Sequence, residues 1–144
     1  MSQGNVEKLM GKIKDAKMRT MMDALGIEVN YLGTDGMRAS MPVDHRTVQY
    51  YSMLHGGASV ALAETLASCA GAVHIDLAKQ MVVGVEINAN HIRGVKSGAG
   101  KVQGEAMPIH IGRKTQVWAI EIKNADGKLV CVSRCTLAVV DKPK

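Results

Sequence analysis

The chain has 144 residues, 47% of them apolar and 22% charged, with a net charge of +5 at neutral pH. That length suits one domain with its own hydrophobic core, and no apolar run approaches the ~18 residues of a membrane-spanning helix. Aromatic residues are only 3%, with no Phe, and Lys and Arg are scattered, which argues against a nucleic-acid surface; a small polyanion, such as a nucleotide or coenzyme, fits the charge, and so does a merely soluble basic surface.

In chain order, Met1 to Lys14 is charged but has no apolar h-region or small-residue cleavage site, so no secretion signal is expected and the cytoplasm is the default compartment. Val6, Leu9, Met10, Ile13, Met18, Met21, Met22 and Leu25 recur mostly at helical spacing, which predicts an amphipathic helix over 5–24 that stops at Gly26. Its methionines read as adaptable packing. A strand pair, Ile27 to Leu32 and Met37 to Val43, follows across Gly33-Thr34-Asp35-Gly36. Residues 44–54 have no steady period and read as a loop.

Residues 57–73 form a helix that is apolar or small nearly all round, the pattern of a buried helix. The second half carries four strand signals: Met81 to Ile92, Ala99 to Pro108, Lys114 to Lys123, and Lys128 to Val140 after the turn Asn124-Ala125-Asp126-Gly127. No repeat, low-complexity tract or linker divides the chain. The expected organisation is one domain over 1–144, with a helical segment over 1–25 and a core over 26–140. The order predicts an α+β fold in which a twisted antiparallel sheet of five or six strands curls around the helix. The outer face of such a sheet is bare, so a second subunit is expected to cover it.

Cys69, Cys131 and Cys135 are odd in number and lack metal-ligand spacing, and so read as reduced, buried thiols. His45, His55, His74, His91 and His110 show no His-x-x-x-His pattern and no acidic cluster, so no metal site is expected. His45, His74 and His110 read as structural or exposed.

The chemistry concentrates in residues 55–73, where Glu64 is the only formally charged residue from Ala58 to Val73. A buried carboxylate is costly unless something compensates it. Upstream, His55-Gly56-Gly57 suits a tight turn that opens the helix and leaves backbone N–H groups free at its N-terminus. A carboxylate two turns beyond such a turn can combine a base or nucleophile with an oxyanion site. The other reading of Glu64 is a buried acid paired with a distant Arg or Lys.

These residues, with Val43-Asp44-His45-Arg46-Thr47, Gln49, Leu54 to Ser59, Ala63-Glu64, Glu86-Ile87-Asn88-Ala89-Asn90-His91 and Gln116-Val117-Trp118, resemble the hotdog-fold acyl-CoA thioesterases. The similarity is to the branch of 4-hydroxybenzoyl-CoA, 1,4-dihydroxy-2-naphthoyl-CoA and phenylacetate-pathway thioesterases, and it spans about residues 26 to 140. His-Gly-Gly alone is a weak signal. With a Glu nine residues after the His and Asn-Ala-Asn-His downstream, it is specific.

The resemblance implies Glu64 as nucleophile or as base toward water, and the Gly56 N–H as oxyanion donor. It implies that His55 orients nearby groups, Gln49 positions substrate or water, and Ser68 partners the carboxylate or a water. His91, Arg93, Arg113 and Lys114 are implied as CoA-binding groups. It also implies a dimer of dimers with each active site between subunits, no metal or redox cofactor, and coenzyme A entering only as part of the substrate. Neither nucleic acid nor membrane is an expected partner.

One stretch departs from the pattern: Tyr50-Tyr51-Ser52 stands where close relatives have a Pro-Phe-Gly-like sequence. The pair either lines an aromatic acyl pocket or simply packs, and the acyl preference of those relatives does not carry over. Aryl-CoA, or short- to medium-chain acyl-CoA, is the expected substrate class. The alternatives are an enoyl-thioester hydratase or dehydratase on the same fold, and a non-catalytic acyl-CoA-binding module.

Overall fold

The computed structural model describes residues 2–15 and 17–144. The elements are α1 (Ser2–Ile13), α2 (Met21–Leu25), β1 (Glu28–Gly33), β2 (Gly36–Pro42), α3 (Gly56–Ala72), β3 (Gln80–His91), β4 (Lys101–Ile111), β5 (Thr115–Lys123) and β6 (Leu129–Asp141). The six strands form one antiparallel sheet in the order β1-β2-β4-β5-β6-β3. It curls so that α3 packs against β2, β3, β4, β5 and β6. This is the hotdog arrangement, with α3 as the filling. No helix among the described residues is long and apolar enough to cross a membrane.

Alternation on the strands builds the cup. Trp118, Ile120 and Ile122 of β5 and Cys131, Cys135 and Leu137 of β6 are fully buried, as expected where one face of a sheet meets a core. From α3, Leu62, Leu66 and Ala70 drop into that cup. Helix and sheet approach closely because β4 has Gly104 beneath the helix, where a Cβ would lie 2.5 Å from Leu66 Cδ1. The C-terminal end of α3 is tied twice. Gln116 donates to Gly71 O (3.2 Å) while accepting from Trp118 Nε1 (3.0 Å). Asn5 of α1, itself buried, donates to Val73 O (2.9 Å) and Ile75 O (2.8 Å).

Two expectations need correction. The single helix over 5–24 is instead α1 and α2, because local polar groups win over the periodic pattern between them. Asp15 accepts from the Lys17 N–H (3.0 Å). Thr20 then opens a fresh helix with a reciprocal capping box to Asp23. The second correction concerns α3, which within one chain is buried on one side only. Gly57, Val60, Ala61, Glu64, Thr65, Ser68 and Cys69 form a stripe that stays partly open, with the sheet meeting it where Glu64 lies against Gly84 of β3.

The β1–β2 hairpin forms as expected across Gly33 to Gly36. Gly36 is required there, since its φ is +146° and a Cβ would lie 2.1 Å from Ala106 O.

Strand β3 is an edge strand with a bulge. Gly84 pairs with Leu137 and Glu86 with Thr136, leaving Val85 as the extra residue. A bulge shifts the phase of side chains along a strand. Val82 faces the core before it, and Ile87 and Ala89 face the core after it. Consequently Gly84 and His91, seven residues apart in sequence and of opposite parity, both face α3.

Candidate active site

The loop before α3 is held by short-range bonds. Thr47 Oγ1 donates to Pro42 O (2.6 Å), Asp44 grips Arg46 through both carboxylate oxygens, and His55 N–H donates to Thr47 O (2.8 Å). Arg46 holds the Asp44 carboxyl down at about 2. Gln49 is fixed by its own loop. Its backbone donates to Met53 O (2.8 Å), and its side-chain oxygen accepts the Tyr51 N–H. The free end of the Gln49 amide is therefore its NH2, a donor. Tyr50 and Tyr51 pack against each other with ring centroids 4.0 Å apart and their planes tilted by 40°, and both are largely exposed.

His55 is the N-cap of α3, its Nδ1 accepting the Gly57 N–H at 2.8 Å. A neutral imidazole that accepts at Nδ1 carries its proton on Nε2, so the outer edge of the ring is a donor. Ala58 and Ser59 N–H donate to His55 O. Among the described residues, the Gly56 N–H enters none of the backbone bonds of this turn. It is an unclaimed donor at a helix N-terminus, where the peptide dipoles favour negative charge. Beside it is a cavity of about 270 Å³ lined by Gly56, Ser59, His91 and Arg93. The His91 ring rests on Gly56, with Nε2 at 2.9 Å from where a Cβ would stand, and Arg93 Nη1 donates to Leu129 O (2.7 Å).

Glu64 lies in the middle of the partly open stripe of α3, half-buried, in a cavity of about 520 Å³ with Met21, Val60, Thr65, Ser68 and Cys69. None of the ion pairs among the described residues involves it, so the distant Arg or Lys partner is not found. The carboxylate instead lies against Gly84 of β3. Ser68 shares the cavity one turn on. Burial pushes the Cys69 thiol up to about 11. Cys135 is also raised to about 11, by burial first and then by the nearby charges of Glu64 and Glu86. Among the described residues no cluster of His, Cys, Asp or Glu could hold a metal ion.

Two of the four residues expected at CoA lie beside Gly56, namely His91 and Arg93. The other two do not. Arg113 and Lys114 form the β4–β5 turn and line a cavity of about 670 Å³ with Gln80 and Asp141. Gln80 and His91 are the two ends of β3, so at about 3.3 Å per residue the two basic pairs stand about 35 Å apart. Gly56 and Glu64 are likewise separated in one chain: eight residues of helix rise about 12 Å. One thioester carbonyl therefore cannot touch both groups of the same protomer.

Val60, Thr65 and Met21 also surround Glu64, beyond the residues expected at the site. The first two are legible on a helical wheel, one turn before Glu64 and adjacent to it. Met21 is not, because its place depends on how α2 docks. Gly84 carries no local signal.

The thioesterase superfamily matches residues 51–131 of the chain, the stretch that holds α3, β3 and the turn before them. The chain is 47% identical over 120 residues to the 1,4-dihydroxy-2-naphthoyl-CoA hydrolase of Escherichia coli, covering 83% of this chain and 86% of that one. It is 48% identical over 121 residues to the proofreading thioesterase EntH of Cronobacter turicensis, covering 84% and 86%. The crystal structure of a thioesterase from Haemophilus influenzae superposes with a TM-score of 0.82 at 47% identity, covering 94% of this chain and 90% of that one. A free helix N-terminal donor and a half-buried carboxylate within this fold, with identity of that depth over most of each chain, have one explanation: the chain belongs to the thioesterase superfamily and is a thioester hydrolase.

Proposed function

We propose that the protein hydrolyses an aryl-CoA, or a short- to medium-chain acyl-CoA, to the free acid and CoA, at a site built from two chains. The observation that carries this reading is the separation of about 12 Å along α3 between the unclaimed Gly56 N–H and the Glu64 carboxylate. A thioester carbonyl on Gly56 needs its base or nucleophile from elsewhere, and a second copy supplies one. Edge strand β3, with Met81, Val83 and Val85 exposed, suits antiparallel pairing with its twofold mate. That pairing sets the Gln80 end of one β3 beside the His91 end of the other. Arg113 and Lys114 of one chain then join His91 and Arg93 of its partner around the phosphates of CoA. A second pairing through the bare sheet faces completes a dimer of dimers, working in the cytoplasm.

In this site the Gly56 N–H donates to the thioester oxygen, and the free NH2 of Gln49 donates to the same carbonyl or to the attacking water. Glu64 of the partner acts in one of two ways. As a base it takes a proton from water, whose oxygen adds to the carbonyl carbon. As a nucleophile it adds itself, giving a mixed anhydride that water then opens. In both routes negative charge builds on the oxygen held by Gly56. Collapse breaks the C–S bond, and the departing thiolate of CoA takes up a proton. Nothing in these steps calls on a metal or redox cofactor.

Glu64→Gln is expected to lower kcat by on the order of 10³-fold while leaving acyl-CoA affinity intact, measured across an acyl-CoA panel with the released thiol read by a colour reagent. Unchanged turnover would sink the assignment, and hydration of an enoyl-CoA without thiol release would favour the hydratase. The two-chain site has its own test. Chains carrying E64A and chains carrying Q49A, each impaired alone, should regain about a quarter of wild-type turnover when unfolded, mixed and refolded, because half of the random dimers hold one intact site of two.

A further inference from the structure

We infer that Gly84 is a positioning residue whose missing side chain forms the seat of the Glu64 carboxylate. The inference rests on Glu64 acting at the thioester. A Cβ placed on Gly84 would lie 2.2 Å from Glu64 Oε1 and 3.4 Å from its Cδ. The carboxylate oxygen thus occupies much of the space that any side chain at 84 would fill. No other contact of the strand is needed to explain the collision, because among the described residues, apart from its own chain neighbours, only Glu64 comes within 4 Å of that position.

The usual reason for a glycine does not apply here. Gly84 is absent from the positions with left-handed φ, which among glycines are 26, 36, 98, 100 and 127. An alanine would therefore meet no backbone strain at 84, and glycine within a strand weakens it. The strand tolerates that weakness at the point where the carboxylate of α3 arrives. Position 84 is also where the bulge begins, since Gly84 still pairs in register with Leu137 while Val85 is extruded. The bulge lets one strand serve two points of α3: the flat seat at Gly84 for Glu64, and His91 on Gly56 near the helix start. A carboxylate without an ion pair needs another restraint on its rotamer, and a close-fitting wall of backbone provides one. A displacement of about 1 Å at a reacting group can cost about 10²-fold in rate.

The test is Gly84→Ala, read by kcat, KM and melting temperature, alone and combined with E64D and E64A. G84A is expected to lower kcat by about 10²-fold with KM changed less than about threefold. In the E64D background, whose carboxylate is withdrawn by one methylene, the same substitution should cost less than about threefold. Any loss of melting temperature in G84A should vanish in E64A/G84A relative to E64A. If G84A does not fold, E64A/G84A should still fold as well as E64A. The seat is overturned if G84A keeps kcat within about twofold of wild type, if its rate loss is undiminished in E64D, or if its thermal penalty persists in E64A/G84A. The thermal comparison reads the contact even if Glu64→Gln proves active, so failure of the catalytic assignment and failure of the seat are separable.

Discussion

The two long faces of α3 are made of nearly the same kinds of residue and do opposite work. One face, Leu62, Ala63, Leu66, Ala67 and Ala70, is wholly buried against the sheet. The other, Gly57, Val60, Ala61, Glu64, Thr65 and Ser68, stays partly open and carries the only carboxylate of the helix. Hydropathy separates them poorly, because small and apolar residues suit both a close-packed core and a pocket for an apolar acyl group. What separates them is which side the sheet wraps. The buried face spends its apolar atoms on stability, and the open face leaves them lining a cavity, where the proposed function puts the acyl group.

The largest effect that tests this contrast is on the buried side. Leu66→Ala should cost about 2–5 kcal/mol of folding stability, measured by urea unfolding, with kcat per folded chain unchanged. A fall in kcat at unaltered stability would show that the two faces do not divide the work in this way. On the open side, Ser68→Ala should lower turnover roughly three- to tenfold, the worth of one hydrogen bond of ~0.5–1.5 kcal/mol. It should leave the melting temperature near that of the wild type, because Ser68 lies in the cavity and not in the core. Substantial unfolding of this variant would place Ser68 with the packing residues.

The smallest effect is silent at neutral pH. The Cys69 and Cys135 thiols are both raised to about 11 from an ordinary 9, so the unfolded chain releases these protons before the folded one does. Their contribution to stability is complete below about pH 9 and is lost as pH rises from there through 11. Melting temperature should decline over that window and decline less in C69A. Glu64→Gln should bring down the Cys135 value but not that of Cys69, for which burial alone is the cause. An equal response of both thiols would mean that the carboxylate does not face Cys135.

Much of this could be read without coordinates. The hairpin around Gly33 to Gly36, the long apolar helix and the four later strands follow from local patterns, and the structure has all of them. The expected helix over 5–24 divides in two because Asp15 and Thr20 offer the backbone side-chain oxygens that a hydropathy period does not register. At the site, His55, Gly56 and Glu64 stand out through their spacing. The donor end of Gln49 does not, since it depends on the turn at Tyr51. The separation of Arg113 and Lys114 from His91 and Arg93 is equally invisible in sequence, because it follows from the two ends of β3 lying far apart in space.

By itself, the sequence determined the element types, the helix-opening turn and the identity of the one carboxylate that a buried-type helix carries. These depend on residues within a few positions of one another, whose propensities and hydrogen bonds act locally. Only the tertiary structure decided which face of α3 stays open, that a bulge in β3 turns both Gly84 and His91 toward the helix, and that Glu64 settles against bare backbone. Those outcomes depend on how a curled sheet meets a helix across long separations in sequence, where packing geometry and not propensity sets the result.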